Sequence, residues 1–355
     1  MKEIRKIFVN DTNNIEETIL AIQRGGVGIA LVVDEQERLL GTVTDGDIRR
    51  AILNKIPLSN PIATLFSYRS AKYPQPVTAP YGIAAEALLA LMQKKELRQI
   101  PLLDKNGRIV ELALLSELID GDFHFPLTAV VMAGGKGKRL YPLTKDMPKP
   151  MLPLTERPLI ERTIEQFRKI GIRQVHIATH YKSEVITEHF GNGDDFGVKI
   201  NYINEEEPLG TAGALGLMDT PDKLTLIVNG DILTQLDFLS MFDFHRDHKA
   251  VMTVGVRKCE FEIPYGVIDT NDILVKEITE KPVKTFIVNA GIYLVEPGAY
   301  RYIPKGRHFD MTDLISTLIK AKHKVICFPI QEYWMDIGQP VHYQQVRDDA
   351  KNGKI

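Results

Sequence analysis

The sequence predicts a mostly parallel α/β sheet with helices on both faces, preceded by a smaller α+β module made of two similar halves. Three observations carry this. From residue 127 onward, apolar runs of strand length alternate with helical stretches, the pattern of a parallel sheet. Before residue 122, one order of helix, two apolar runs and helix occurs twice. Between them, at Asp120-Gly-Asp-Phe-His-Phe-Pro126, the pattern changes, so the expected domains are 1–122 and 127–355.

In the first half of the module, residues 14–24 place Ile15, Ile19, Leu20 and Ile22 on or near one helical face. Two apolar runs, 28–34 and 38–44, flank the polar turn Glu35-Gln36-Glu37, and a second helix is expected from Asp45 to about Asn54. The same order is expected at 82–94, 99–103, 108–115 and 116–120. Segment 55–80, with Pro57, Pro61, Pro74, Pro76 and Pro80, reads as the connection between the halves. In the second unit, strands are expected at 127–133, 175–179 and 224–231, with helices near 158–170 and 182–189. The ligand of such a sheet lies at the carboxyl ends of its strands.

The 355 residues are 44% hydrophobic and 25% charged, a globular mix, with a formal net charge of −2. No bulk basic field exists to hold nucleic acid, so a polyanionic ligand needs a local cluster. Cys259 and Cys327 stand far apart and in no metal-binding spacing, which suits reduced thiols. The N-terminus lacks a signal-peptide pattern and no apolar run reaches membrane-spanning length, so a cytoplasmic protein without membrane contact is expected.

The run at 127–133 leads into Gly134-Gly135-Lys136-Gly137-Lys138-Arg139. Glycines there let the backbone approach phosphate oxygens with bare N–H groups. The loop has neither the Lys-Ser/Thr of a Walker A motif nor the spacing of a dinucleotide fingerprint. Pro148, Pro150 and Pro153 stiffen the segment that projects Lys149. A forked guanidinium at Arg139 and a point charge at Lys149 suit a triphosphate under attack. Asp231 and Asp336 are carboxylates from distant segments, and Mg²⁺ favours one or two carboxylates completed by phosphate oxygens and water. Taken alone, an aspartate at a strand end reads more simply as a cap or turn residue. The pair His245-x-x-His248 reads as part of a surface helix.

The run GGKGKRLYPLTKDMPKPMLPL, residues 134–154, resembles the signature of the sugar-phosphate nucleotidyltransferases, and the resemblance extends over about 127–340. It implies a Rossmann-like nucleotidyltransferase sheet and Mg²⁺-dependent transfer of a nucleotidyl group from a nucleoside triphosphate to a sugar 1-phosphate, with release of pyrophosphate. It also implies catalytic roles for Arg139, Lys149 and Asp231, nucleotide contacts from Gly134, Gly135 and Gly137, and metal ligation by Asp231 and Asp336. The phosphate nucleophile is already ionised at neutral pH, so no general base is required.

The segment from Asn204 to Gly213 resembles the family's nucleobase loop, which implies nucleotide contacts from Glu205, Gly210 and Thr211. Thymidylyl and uridylyl members usually carry glutamine where Glu205 stands. A carboxylate only accepts hydrogen bonds, which suits the adjacent N1–H and N2–H of guanine, so GTP is the expected nucleotide. Tyr265-Gly266, Glu280-Lys281 and Asn289 match the family's sugar motifs. They imply Lys281 on the 1-phosphate, Glu280 and Asn289 on hydroxyls, and close approach of the ring at Gly266. The string EEEPLGTAGA is similar to that of mannose-1-phosphate guanylyltransferases. The domain combination is similar to that of guanylyltransferases that use glucosamine 1-phosphate in legionaminic acid synthesis. No residue decides the sugar's 2-substituent.

Residues 1–122 resemble a tandem pair of cystathionine-β-synthase (CBS) domains, most clearly at Gly41-Thr-Val-Thr44-Asp-Gly-Asp47-Ile48. The resemblance implies an adenine-nucleotide effector held by Thr44 and Asp47, and a homodimer or higher homo-oligomer. Leu114 and Glu117 stand at the matching places of the second half, so at most one strong effector site is expected. A purely structural or dimerising module is the competing reading. For the second unit the competitors are a uridylyl- or thymidylyltransferase and a catalytically inactive nucleotide sensor. Asn229-Gly230-Asp231 is not the usual Asp-x-Asp motif of a glycosyltransferase.

Overall fold

The computed structural model describes residues 4–68, 75–95, 97–118 and 126–355. The chain forms two compact units, Met1–His124 and Phe125–Ile355. Most of the boundary stretch 120–126, residues 69–74 of the proline-rich connection and the end of the helix expected at 116–120 lie outside the described residues.

In the first unit, both halves repeat one topology. Strand Ile29–Val33 pairs antiparallel with Leu39–Thr44 and parallel with the short strand Phe8–Asn10. Gln99–Leu103 likewise pairs with Ile109–Leu114 and Ala79–Pro80. Helix Ile15–Gly25 begins where the Asn14 side chain accepts from the Glu17 N–H and Glu17 accepts from the Asn14 N–H, a reciprocal cap that satisfies two otherwise orphan donors. Segment 55–80 is more than a connection. It contains the 3₁₀ helix Ile62–Tyr68, whose Ile62 and Leu65 are buried with Ile15 and Ile48, because apolar residues between prolines still seek a core. Ile29, Leu31 and Val33 of the first half pack with Ile109 of the second, so the two halves share apolar contacts.

The second unit is built on a seven-stranded sheet. Its order is Lys199–Asn204, Gln174–Thr179, Leu127–Met132, Leu224–Asn229, Val283–Val295, Met252–Glu262, Val325–Pro329. The first four strands run parallel, and Val283–Val295 is antiparallel to both of its neighbours. Leu127–Met132 is apolar almost throughout and buried along nearly its whole length, as a central parallel strand covered on both faces must be. Helices Leu159–Lys169 and Ser183–Phe190 occupy the expected crossovers. Val130 and Ile227 share a core with Val254, Tyr293 and with Leu314 and Leu318 of helix Met311–Lys320. Among the described residues, no helix is long and apolar enough to cross a membrane.

One expectation fails in this unit. Helix Phe238–His248 does not keep both histidines on its surface. His245 is buried, with Nδ1 2.7 Å from Thr253 Oγ1 and Nε2 3.3 Å from Glu296 Oε1. It follows Phe238 by seven residues and Met241 by four, on the face that meets the sheet. Burial holds its pKa below the ordinary 6.5, although Glu296 pulls the other way.

Candidate functional site

The carboxyl ends of the four parallel strands gather the motifs. Leu127–Met132 delivers the glycine loop, Lys199–Asn204 delivers Glu205, and Leu224–Asn229 delivers Asp231. Asp336 comes from much further along the chain. It arrives because strand Ile232–Thr234 pairs antiparallel with Trp334–Asp336, with Ile232 opposite Asp336, and because the Ile337 N–H donates to the Asp231 carbonyl at 3.0 Å.

Lys149 lies between the two acids. Its Nζ donates to Asp231 Oδ2 at 2.5 Å and stands 3.8 Å from Asp336 Oδ1. The lysine is almost fully buried on the 3₁₀ turn Lys149–Met151, held there by the flanking prolines. Asp336 Oδ1 is shielded from solvent and has no hydrogen-bond partner. Burial, then the charge of Asp231, raises the Asp336 pKa above the ordinary carboxylate value, while Lys149 and Arg139 act in the opposite direction. Arg139 itself is exposed on the turn Lys138–Leu140.

The glycine loop is close-packed at two points and open at a third. Gly137 has φ +59°, and a Cβ there would stand 2.9 Å from Thr144 Cγ2 and 3.2 Å from Lys149 Cβ. The Thr144 hydroxyl donates to the Gly137 carbonyl, fastening the loop to the lysine segment. A Cβ on Gly134 would meet Glu205 Oε1 at 2.7 Å, whereas Gly135 has open space around it. Glu205 is half-buried, and its Oε2 accepts from the Leu209 N–H at 2.9 Å. Burial raises its pKa, against the lowering effect of that hydrogen bond.

Gly210 and Thr211 are locked by a residue that the sequence reading missed. Asp310 Oδ1 accepts from the Thr211 N–H at 3.1 Å, and a Cβ on Gly210 (φ +80°) would reach that oxygen at 2.6 Å. Asp310 also caps helix Met311–Lys320 in a reciprocal box with Asp313. The spacing Asp-x-x-Asp marks a helix start, but nothing local pairs it with Thr211, 99 residues away. Asn229 was likewise missed as a site residue. Its buried Oδ1 has no hydrogen-bond partner, and its amide nitrogen would collide with a Cβ on Gly291.

The residues expected to contact the sugar form a second group. Val267 pairs with Thr279, which brings Gly266 and Glu280 together; a Cβ on Gly266 would be 2.9 Å from Glu280 Oε2. The Lys281 N–H donates to the Tyr265 carbonyl. Asn289 is engaged locally, donating from Nδ2 to the Tyr293 hydroxyl and accepting from the Gly291 N–H at Oδ1. In the first unit, Thr44 and Asp47 form the reciprocal cap of helix Asp45–Leu53, and Asp47 also pairs with Arg50. Among the described residues, no group of three or more His, Cys, Asp or Glu side chains could hold a metal ion.

A parallel sheet that ends in a close-packed glycine loop, with a buried lysine facing two carboxylates, defines a nucleotide-handling α/β domain. Residues 128–353 match the family model described as nucleotidyl transferase, and the chain belongs to that family. Residues 2–54 match the CBS domain model. The chain is 33% identical over 235 residues to a mannose-1-phosphate guanylyltransferase of Mycobacterium tuberculosis, covering 63% of this chain and 65% of that one. It is 33% identical over 226 residues to a Candida albicans protein called mannose-1-phosphate guanyltransferase, covering 60% and 62%. The chain therefore spans less than two thirds of the length of these curated relatives. A Bacillus anthracis structure solved with sucrose and described as a glucose-1-phosphate thymidylyltransferase shares the fold. Its TM-score is 0.53 at 24% identity, over 64% of this chain and 96% of that one.

Proposed function

We propose that this chain transfers a guanylyl group from GTP to a hexose 1-phosphate and releases pyrophosphate. The observation that carries the reading is the Lys149 ammonium held between Asp231 and Asp336 beside a glycine loop. The acids fit Mg²⁺, which takes one or two carboxylates and leaves its remaining positions to phosphate oxygens and water; the partnerless Asp336 Oδ1 supplies one such donor. Bound there, the ion would neutralise charge on the reacting phosphates.

The chain's own residues do the rest. The backbone at Gly134, Gly135 and Gly137 admits the triphosphate, and Arg139 and Lys149 offset the charge that builds on the departing pyrophosphate. The sugar phosphate oxygen attacks the α-phosphorus, and the α–β bridging bond breaks. Glu205 Oε1, left free by the Leu209 hydrogen bond to Oε2, accepts from guanine. Gly210 and Thr211, fixed by Asp310, shape the base pocket. Lys281, with Glu280, Asn289 and Gly266, takes the sugar 1-phosphate. The names of the relatives favour mannose 1-phosphate, and the resemblance of the domain combination to guanylyltransferases of legionaminic acid synthesis favours glucosamine 1-phosphate. An adenine-nucleotide effector at Thr44 and Asp47 would have to exchange with the cap hydrogen bonds that now occupy both side chains.

The reading is tested at Asp231. Asp231→Asn is expected to lower kcat/KM for pyrophosphate release by at least ~2 kcal/mol, roughly 30-fold, the scale of one lost electrostatic group. Turnover near that of the parent would remove Asp231 from the reaction.

A further inference from the structure

Strand Gln174–Thr179 runs parallel to Lys199–Asn204 with Thr179 opposite Asn204, so the next residue of each, His180 and Glu205, leave the sheet side by side. Three hydrogen bonds join these two exits. The Glu205 N–H donates to the Thr179 carbonyl at 2.9 Å, and the Thr179 hydroxyl donates to Asn204 Oδ1 at 2.8 Å. The third lies between His180 Nδ1 and the Glu205 carbonyl oxygen, 2.9 Å apart. A carbonyl only accepts, so Nδ1 carries the hydrogen in either charge state of the ring.

The same turn reaches the other parts of the site. A Cβ on Gly134 would stand 3.3 Å from His180 Cβ and 3.6 Å from its backbone nitrogen, so the first glycine of the loop packs directly on this residue. The neighbouring Tyr181 places its hydroxyl 3.2 Å and 3.0 Å from the carbonyls of Thr144 and Lys145, in the segment that leads to Lys149. Burial raises the Glu205 pKa, and the Leu209 hydrogen bond and the charge of His180 act against it, as a ring close to the carboxylate must.

We infer that His180 is a positioning residue for nucleobase selection, its Nδ1–H holding the Glu205 backbone so that Oε1 meets the base edge. The inference rests on the reading of Glu205 as the base-contacting carboxylate. Glu205 is bonded to the Thr179 carbonyl, the Leu209 N–H and His180, and of these three only His180 contributes a side chain. It is therefore the hold that a substitution can release. Without it the Glu205 peptide can rotate, and the carboxylate moves by more than a hydrogen bond tolerates. Guanine, with two adjacent donors to satisfy, loses most; uracil gains less from a carboxylate and loses less.

The test is equilibrium binding of GTP and of UTP to the full chain by calorimetry, with Mg²⁺ and without sugar phosphate. The parent is compared with His180→Leu and His180→Asn. Leucine keeps the Cβ that faces Gly134 and the branch at Cγ but has no donor, whereas asparagine carries an amide nitrogen as many bonds from the backbone as Nδ1. His180→Leu is expected to weaken GTP about tenfold, the scale of one hydrogen bond, and UTP by less than about threefold. His180→Asn is expected to bind both as the parent does. Parent-like GTP affinity in His180→Leu overturns the inference, as does equal weakening of both nucleotides or an asparagine variant that behaves like the leucine one. Should the leucine variant lose the parent's circular dichroism spectrum, the asparagine variant decides alone, and lost selectivity there overturns the inference. Glu205→Gln, titrated alongside, separates the two readings. An unchanged preference for GTP over UTP in Glu205→Gln ends base reading by Glu205 and this inference with it. A preference lowered by Glu205→Gln but not by His180→Leu ends only the role of His180.

Discussion

Replacing Lys149 by methionine separates two roles that the geometry joins. In the free protein the ammonium neutralises Asp231 at 2.5 Å and Asp336 at 3.8 Å. A unit charge at about 4 Å is worth about 1 kcal/mol in bulk water and about 4 kcal/mol near a protein surface. The Asp336 side chain is 48% exposed, so screening favours the lower part of that range. Removing a cation that competes for the acid pair should then tighten divalent-ion binding in the absence of nucleotide by roughly tenfold, about 1.4 kcal/mol. If Lys149 also offsets charge on the departing pyrophosphate, as proposed, the same change should slow turnover by about 10²–10³, the effect of one lost transition-state donor. Mn²⁺ titration followed by spin resonance measures the first effect, and pyrophosphate release measures the second. Weaker ion binding together with normal turnover would refute the placement of Lys149 between the metal acids and the triphosphate.

Other outcomes follow from the same structure. Glu205→Gln is expected to lower the ratio of kcat/KM for GTP over UTP, because an amide can donate to uracil and accepts less from guanine; an unchanged ratio would end the base-reading argument. The depressed pKa of His245 makes the unfolded chain bind more protons than the native one between the native pKa and 6.5. Stability from that site is therefore fully present above 6.5 and is lost as the pH falls through 6.5 toward the native value. The melting temperature of the parent should drop more steeply on acidification than that of His245→Gln, and parallel curves would contradict the burial argument.

Much of the fold was legible because its signals are local. The alternation after residue 127 and the repeat before 122 reflect periods of a few residues, and helices Leu159–Lys169 and Ser183–Phe190 fall where they were expected. The two acids, Asp231 and Asp336, were named from the sequence, but not how they meet. The means, a three-residue antiparallel pair between Ile232–Thr234 and Trp334–Asp336, is a long-range register that no window of sequence contains. Asp310 escaped for the same reason. His245 was legible in principle, since it follows Phe238 by seven residues and Met241 by four, a helical period that marks the buried face.

The most direct test is pyrophosphate release by the full chain with Mg²⁺, crossing the four nucleoside triphosphates with the 1-phosphates of mannose, glucose, glucosamine and N-acetylglucosamine. Release with GTP and mannose or glucosamine 1-phosphate is the predicted result. Release with UTP or dTTP alone would contradict the guanine assignment, and no release with any pair, repeated with adenine nucleotides present, would contradict the transferase itself.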